Sequence, residues 1–149
     1  MNNGLTALAG KTFSVGVSFA GEQRTYVQDV ALSLKEKGVS VFYDRLHEVD
    51  LWGCDLIDTL NSLYSESLNL VIVFVSKEYV EKDFTNVERR AALSKAITTR
   101  QKYIMPVRFD DTKLPGLPAT IAYLNASENT PEQLAVKICK ALGCVFRRS

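Results

Sequence analysis

The chain is predicted to form an α/β domain of the flavodoxin-like, three-layer kind, with a five-stranded parallel sheet in the order 2-1-3-4-5. Three observations predict it. Short apolar stretches alternate with segments of helical spacing, and such alternation implies parallel strands joined by right-handed crossovers. Residues 68–75, Leu-Asn-Leu-Val-Ile-Val-Phe-Val, are an almost unbroken apolar run, which suits a strand covered on both faces in the middle of a parallel sheet. Five strand candidates on 149 residues, one domain's length, fit that strand order.

Residues 1–11 are rich in small residues and read as a loose tail, with the domain over 12–149. Residues 13–19 form the first strand, punctuated by Gly21. Residues 22–37 carry Val27, Val30, Ala31 and Leu34 at helical spacing, and Gly38 follows Lys35 and Lys37 as a stop signal. Residues 39–43 are the second strand, 44–53 a polar loop with the single tryptophan, Trp52, and 55–64 a short helix. After the third strand, 76–83 is a connection with at most a helical turn. Residues 85–99 read as a helix whose apolar positions are Val87, Ala91, Ala92 and Ala96. Residues 103–109 are the fourth strand and 121–124 a short fifth. Thr130-Pro131-Glu132-Gln133 is a capping box with proline at N1, opening a last helix that ends at Gly143.

Composition excludes several function classes. The formal net charge is +1, which argues against a dedicated nucleic-acid binder. The cysteines, Cys54, Cys139 and Cys144, are odd in number and form no CxxC, so they read as reduced thiols of a cytoplasmic protein. The lone His47 makes a histidine-based metal site unexpected, and no metal is assigned. No signal peptide opens the chain and no apolar run approaches the ~20 residues of a membrane span, so no membrane role is expected.

Ligands of such sheets bind outside the C-terminal strand ends, at the switch between strands 1 and 3. Residues 19–24, 44–52 and 76–88 meet there. No GxGxxG or Walker A pattern follows the first strand. A phospho-receiver needs clustered acids after strand 1 and an aspartate ending strand 3; Ser18-Phe19-Ala20 and Val75-Ser76-Lys77 stand there instead. Glu88 is the acid singled out. As a local pattern, Thr85-Asn86-Val87-Glu88 is a capping box with Thr85 as N-cap and Glu88 bonded back to it, and a catalytic role is the other reading. Trp52 is either a stacking residue or a loop anchor. Phe84 is either a ring that stacks on a ligand or a hydrophobic staple. Asp110-Asp111 is either a cation site or a solvated turn, and Arg24, Arg89 and Arg90 are either phosphate contacts or surface charges.

Several motifs then line up with one known family. Val17 to Glu22, Val41 to Asp44, Leu51-Trp52-Gly53, Val73 to Tyr79, Lys82 to Thr85, Glu88-Arg89, Pro106 to Asp111 and Pro115-Gly116-Leu117 resemble, in that order, the Toll/interleukin-1 receptor (TIR) domain, especially its bacterial branch. The resemblance spans about residues 12–143. It implies an NAD glycohydrolase or cyclase that cleaves the nicotinamide–ribose bond, with NAD as substrate and no separate cofactor. It implies Glu88 as the catalytic glutamate, and Phe19, Ala20, Gly21, Asp44, Trp52, Ser76 and Phe84 as substrate contacts. Phe84 departs from the family's usual tryptophan. The resemblance further implies activation by self-association through the loop after strand 2, with filaments among the assemblies, a fused sensor or effector domain, and a role in bacterial antiphage immune signalling. A non-catalytic TIR–TIR scaffold is the competing reading.

Overall fold

The computed structural model describes residues 13–42, 56–65 and 67–143. Five parallel strands form one sheet: β1 (Phe13–Ser18), β2 (Val39–Phe42), β3 (Leu70–Val75), β4 (Ile104–Arg108) and β5 (Leu124–Asn125), in the order β2-β1-β3-β4-β5. The expected order is the one observed. The register runs Val15↔Leu70 to Ser18↔Val73 between β1 and β3, and Val71↔Ile104 to Val75↔Arg108 between β3 and β4. Val71 to Val75 are fully buried, as a central strand requires.

Among the described residues, five α-helices cover the sheet: α1 (Arg24–Glu36), α2 (Leu56–Ser65), α3 (Lys77–Asp83), α4 (Val87–Thr99) and α5 (Pro131–Leu142). They create two cores. On one face, Val27, Val30 and Leu34 of α1 and Leu134, Ala135 and Ile138 of α5 pack on Val15, Val17, Ile72 and Phe74. On the other, Leu56, Leu60 and Leu63 of α2 and Leu93 and Ile97 of α4 pack on Val71, Val73 and Val75. The alternation of β3 residues between the two lists is the period-2 pleat. Gly16 lets α2 approach β1: a Cβ there would stand 2.8 Å from Leu68 Cδ1 and 3.0 Å from Thr59 Cγ2.

Local chemistry sets the ends of α1 and α5. The chain leaves α1 through Gly38 at φ 84°. Thr130 and Gln133 exchange both bonds of the capping box, and Gly143 closes α5 at φ 80°, as the sequence anticipates. Four details differ from expectation. Residues 77–83 are a full helix rather than a turn, capped by Ser76. The inward face of α4 is Leu93 and Ile97, while Val87, Ala91 and Ala92 face outward; two large side chains at i and i+4 bury more apolar area than a stripe of alanines. The fifth strand begins only at Leu124, because Ile121 bonds back to Pro118 in a turn and the Tyr123 hydroxyl accepts from Leu114 N–H. Finally, α4 is capped by Asn86, not Thr85. No described helix is long and apolar enough to cross a membrane.

Candidate active site

The C-terminal ends of β1 and β3 are adjacent in register and carry the elements the sequence points to. After Ser18, Phe19 and Ala20 are buried, and Gly21–Gln23 makes one 3-10 turn closed by Gln23 N–H to Ala20 O at 2.9 Å. The Arg24 guanidinium lies 5.7 Å from the centre of the Phe19 ring. After Val75, Ser76 is buried and its Oγ accepts from Tyr79 N–H at 3.1 Å, capping α3. The Tyr79 hydroxyl then meets the Ser18 hydroxyl at 2.7 Å, both buried. One hydrogen bond thus joins the end of β1 to the helix that follows β3. A second link crosses at the surface, where Lys82 Nζ donates to Glu22 Oε1 at 2.8 Å. That hydrogen bond holds the Glu22 carboxyl below its ordinary value.

The far side of the crevice is held by Asp110 at the end of β4. Its Oδ2 accepts from Lys77 N–H at 3.0 Å and its Oδ1 from Thr112 N–H at 2.9 Å. Burial pushes this carboxyl up, but the hydrogen bonds from Thr112 and Lys77 outweigh it and hold it low. Asp110 is thus a tie between β4 and α3. Among the described residues, no cluster of histidine, cysteine or acid residues is arranged to hold a metal ion.

Glu88 stands in the first turn of α4, exposed to solvent. The capping-box expectation fails here. Asn86 Oδ1 accepts from Arg89 N–H at 2.8 Å, so Asn86 is the N-cap, Val87 is N1 and Glu88 is N2. A box needs its glutamate at N3, and N3 is Arg89. Asparagine is the stronger N-cap of the two candidates, a signal present in the sequence that the Thr-x-x-Glu spacing obscures. The consequence is chemical: the Glu88 carboxylate bonds to no other described group and sits at the positive end of the helix, where an anion is favoured. Its neighbour Val87 is 83% exposed, the most exposed of the large apolar side chains described.

Phe84 is only 4% exposed and belongs to the buried cluster that also holds Leu56, Leu60, Tyr79 and Leu93. The Arg90 guanidinium covers its ring at 5.7 Å. In this conformation the ring anchors the α3–α4 junction; with Asn86 as N-cap, Phe84 stands one residue before the N′ position that the expected staple requires. The structure therefore brings Phe19, Ala20, Gly21, Ser76, Phe84 and Glu88 to one edge of the sheet. Asp44 and Trp52 lie outside the described residues, as do Cys54 and His47. Sequence reasoning missed Tyr79, whose partner is 61 positions away, and the pairing of Asp83 with Arg89.

A TIR domain family model matches residues 15–139. The chain belongs to the TIR domain family. This TIR domain is 47% identical over 126 residues to the 3′ cyclic ADP-D-ribose synthase AaTIR of Aquimarina amphilecti, covering 85% of this chain and 38% of that protein. It thus spans well under half the length of that relative. Among solved structures, HP1043, an orphan response regulator of H. pylori, matches at a TM-score of 0.53 with 12% identity, over 87% of this chain and 96% of that one. At that identity the likeness is one of fold, and it agrees with the parallel sheet order of the TIR domain.

Proposed function

We propose that this TIR domain cleaves NAD at the nicotinamide–ribose bond, with Glu88 as its catalytic carboxylate. The observation that carries the reading is an exposed glutamate in the first turn of α4 that bonds to no other described group, in a chain 47% identical over most of its length to a protein named as a cyclic ADP-ribose synthase.

The chemistry asks little more of the protein than one placed negative charge. Heterolysis sends the C1′–N bonding pair to the pyridinium nitrogen, and neutral nicotinamide leaves without needing a proton. The ribose carbon becomes oxocarbenium-like, as in glycoside hydrolysis. Water then adds and loses a proton to give ADP-ribose, or a hydroxyl of the same molecule adds and loses its proton to give a cyclic isomer. The relative's name makes the 3′ isomer the first product to assay. A carboxylate ~4 Å from the developing cation, at an effective dielectric of ~20, interacts by up to about 4 kcal/mol. That is at most about three orders of magnitude in rate. Orientation and exclusion of water supply the remainder.

Phe19, Ala20, Gly21 and Ser76 form the floor of the proposed NAD site, Phe84 supports it from below, and Asp44 and Trp52 are assigned to its covering loop. NAD is substrate and no separate cofactor is assigned. Self-association, filaments among its forms, a cytoplasmic location and a role in antiphage signalling complete the proposal. Val87, apolar and exposed beside Glu88, favours a surface that another copy covers. The test incubates concentrated protein, alone and fused to an oligomerising partner, with NAD and follows nicotinamide and cyclic product by chromatography and mass spectrometry. Release that drops by two to three orders of magnitude in Glu88→Gln supports the assignment. Release unchanged in that variant removes Glu88 from the reaction, and no release in any assembled form favours the scaffold.

A further inference from the structure

We infer that Arg108 is an anion-binding residue that presents its guanidinium to a phosphate group at the C-terminal edge of the sheet. Arg108 is the last residue of β4, in register with Val75 of β3 and Asn125 of β5. Ligands of open α/β sheets bind at that edge, and Val75 leads into Ser76, assigned to the floor of the proposed NAD site. The guanidinium is fixed on two sides. Its Nε donates to Asn125 Oδ1 at 2.7 Å, and its Cζ lies 5.5 Å from the centre of the Tyr123 ring. Both supports are themselves held. The Tyr123 hydroxyl accepts from Leu114 N–H at 2.8 Å, and Asn125 Nδ2 donates to Glu128 Oε1 at 3.3 Å. An arginine so placed has already given up much of its rotamer freedom, so little more is lost when a ligand binds.

The outer end of the same group is open. Nε is committed to Asn125, while the hydrogens on Nη1 and Nη2 bond to no other described group. The acids around it are turned elsewhere: the Asp110 oxygens accept from Lys77 and Thr112 N–H, and Glu128 accepts from Asn125. The cations that the sequence suggests as phosphate contacts are placed differently. Arg89 pairs with Asp83, and Arg24 and Arg90 lie over the rings of Phe19 and Phe84. What Arg108 offers is a half-buried positive charge with no described carboxylate beside it and a planar fork that matches two oxygens of one phosphate. Val75 and Tyr123 both belong to the core under α2 and α4, so the fork stands on the side of the sheet that carries the helix of Glu88.

A phosphate at this fork has two sources, the diphosphate of NAD or a separate phosphate-bearing ligand; only the first rests on the NAD reading above. The probe is inorganic pyrophosphate, titrated into the isotope-labelled chain while NMR follows the Arg108 Nε–H resonance. A saturable shift is expected, lost in Arg108→Gln and weakened about tenfold in Arg108→Lys, which keeps the charge but not the fork. Asn125→Asp combined with Glu128→Gln keeps the Nε acceptor and sets a carboxylate against the guanidinium. It should also weaken pyrophosphate about tenfold while Tm holds, whereas a mere latch on Tyr123 would leave the affinity unchanged. ADP-ribose, which carries the diphosphate of NAD and is not consumed, then separates the sources. If it displaces pyrophosphate, the fork holds the substrate's diphosphate, and Arg108→Gln raises KM for NAD about tenfold with kcat changed less than twofold. If it leaves the resonance in place, the ligand is a separate one and KM for NAD stays at the wild-type value. No saturable shift in the wild-type chain, or an equal shift in Arg108→Gln, overturns the inference. The titration needs no turnover, so an active Glu88→Gln removes the Glu88 reading and leaves this result standing.

Discussion

Removing one hydroxyl, in Tyr79→Phe, tests whether the site edge is held together as described. The Tyr79 and Ser18 hydroxyls are 2.7 Å apart and buried, and the phenylalanine ring keeps all the packing of the tyrosine. A typical intramolecular hydrogen bond contributes about 1 kcal/mol net, and a stranded buried hydroxyl costs about 1–3 kcal/mol. Both residues have further interactions, so the low end applies and each of Tyr79→Phe and Ser18→Ala is expected to cost about 1 kcal/mol. At this chain length that lowers Tm by about 2–4 °C. Removing both hydroxyls strands neither, so the double variant should lose less than the sum, by about 0.5–1 kcal/mol. Urea unfolding followed by circular dichroism measures this, with the slope unchanged among variants. A Tyr79→Phe midpoint equal to wild type, or losses that add within about 0.3 kcal/mol, would refute the reasoning.

Other perturbations reach different parts of the frame. Gly116→Ala should cost at least about 1–3 kcal/mol, since Gly116 holds φ 98° and a Cβ would stand 2.6 Å from Ser94 O. Thermal unfolding reads this, and an unchanged Tm would show that the loop lifts off α4 freely. Acid should weaken the fold in part through Asp110 and Glu22, whose carboxyls are both held low. With folded values below unfolded ones, their stabilisation is full above the unfolded value of about 4 and is lost as pH falls through the folded value. Asp110→Asn should therefore flatten the acid limb of the stability curve, while Glu22→Gln changes it by less than about 1 kcal/mol because the Lys82 pair is solvent-exposed.

What the sequence made legible follows the range of the interactions. The ends of α1 and α5 were readable because Gly38, the Thr130–Gln133 box and Gly143 act within one turn. The sheet order was readable because residues 71–75 tolerate no polar face. The α3 helix was not, since its seven residues depend on partners elsewhere: Asp110 at its first N–H and Ser18 at the Tyr79 hydroxyl. The inner face of α4 was misread because alanine spacing imitates an apolar stripe that Leu93 and Ile97 provide with fewer residues. At the site, Glu88 stood out by motif and position, but its local environment was misread by one residue of helix register. The Asp83–Leu56 contact joins positions 27 apart and leaves no mark in either local pattern.

That one residue of register constrains how this stretch of chain can vary in length. Phe84 is fixed by burial and Asn86 by the helix it starts, so Thr85 alone spans the distance between anchor and cap. An α-helix turns by about 100° per residue. Inserting or deleting one residue beside Thr85 would leave the strand before it in place, yet either swing Glu88 about a quarter of the way around α4 or drag Leu93 and Ile97 out of the core. Exposed Thr85 should accept many side chains, whereas its count of one should not change; substitutions there and single-residue insertions ought to separate sharply in any survey of variants.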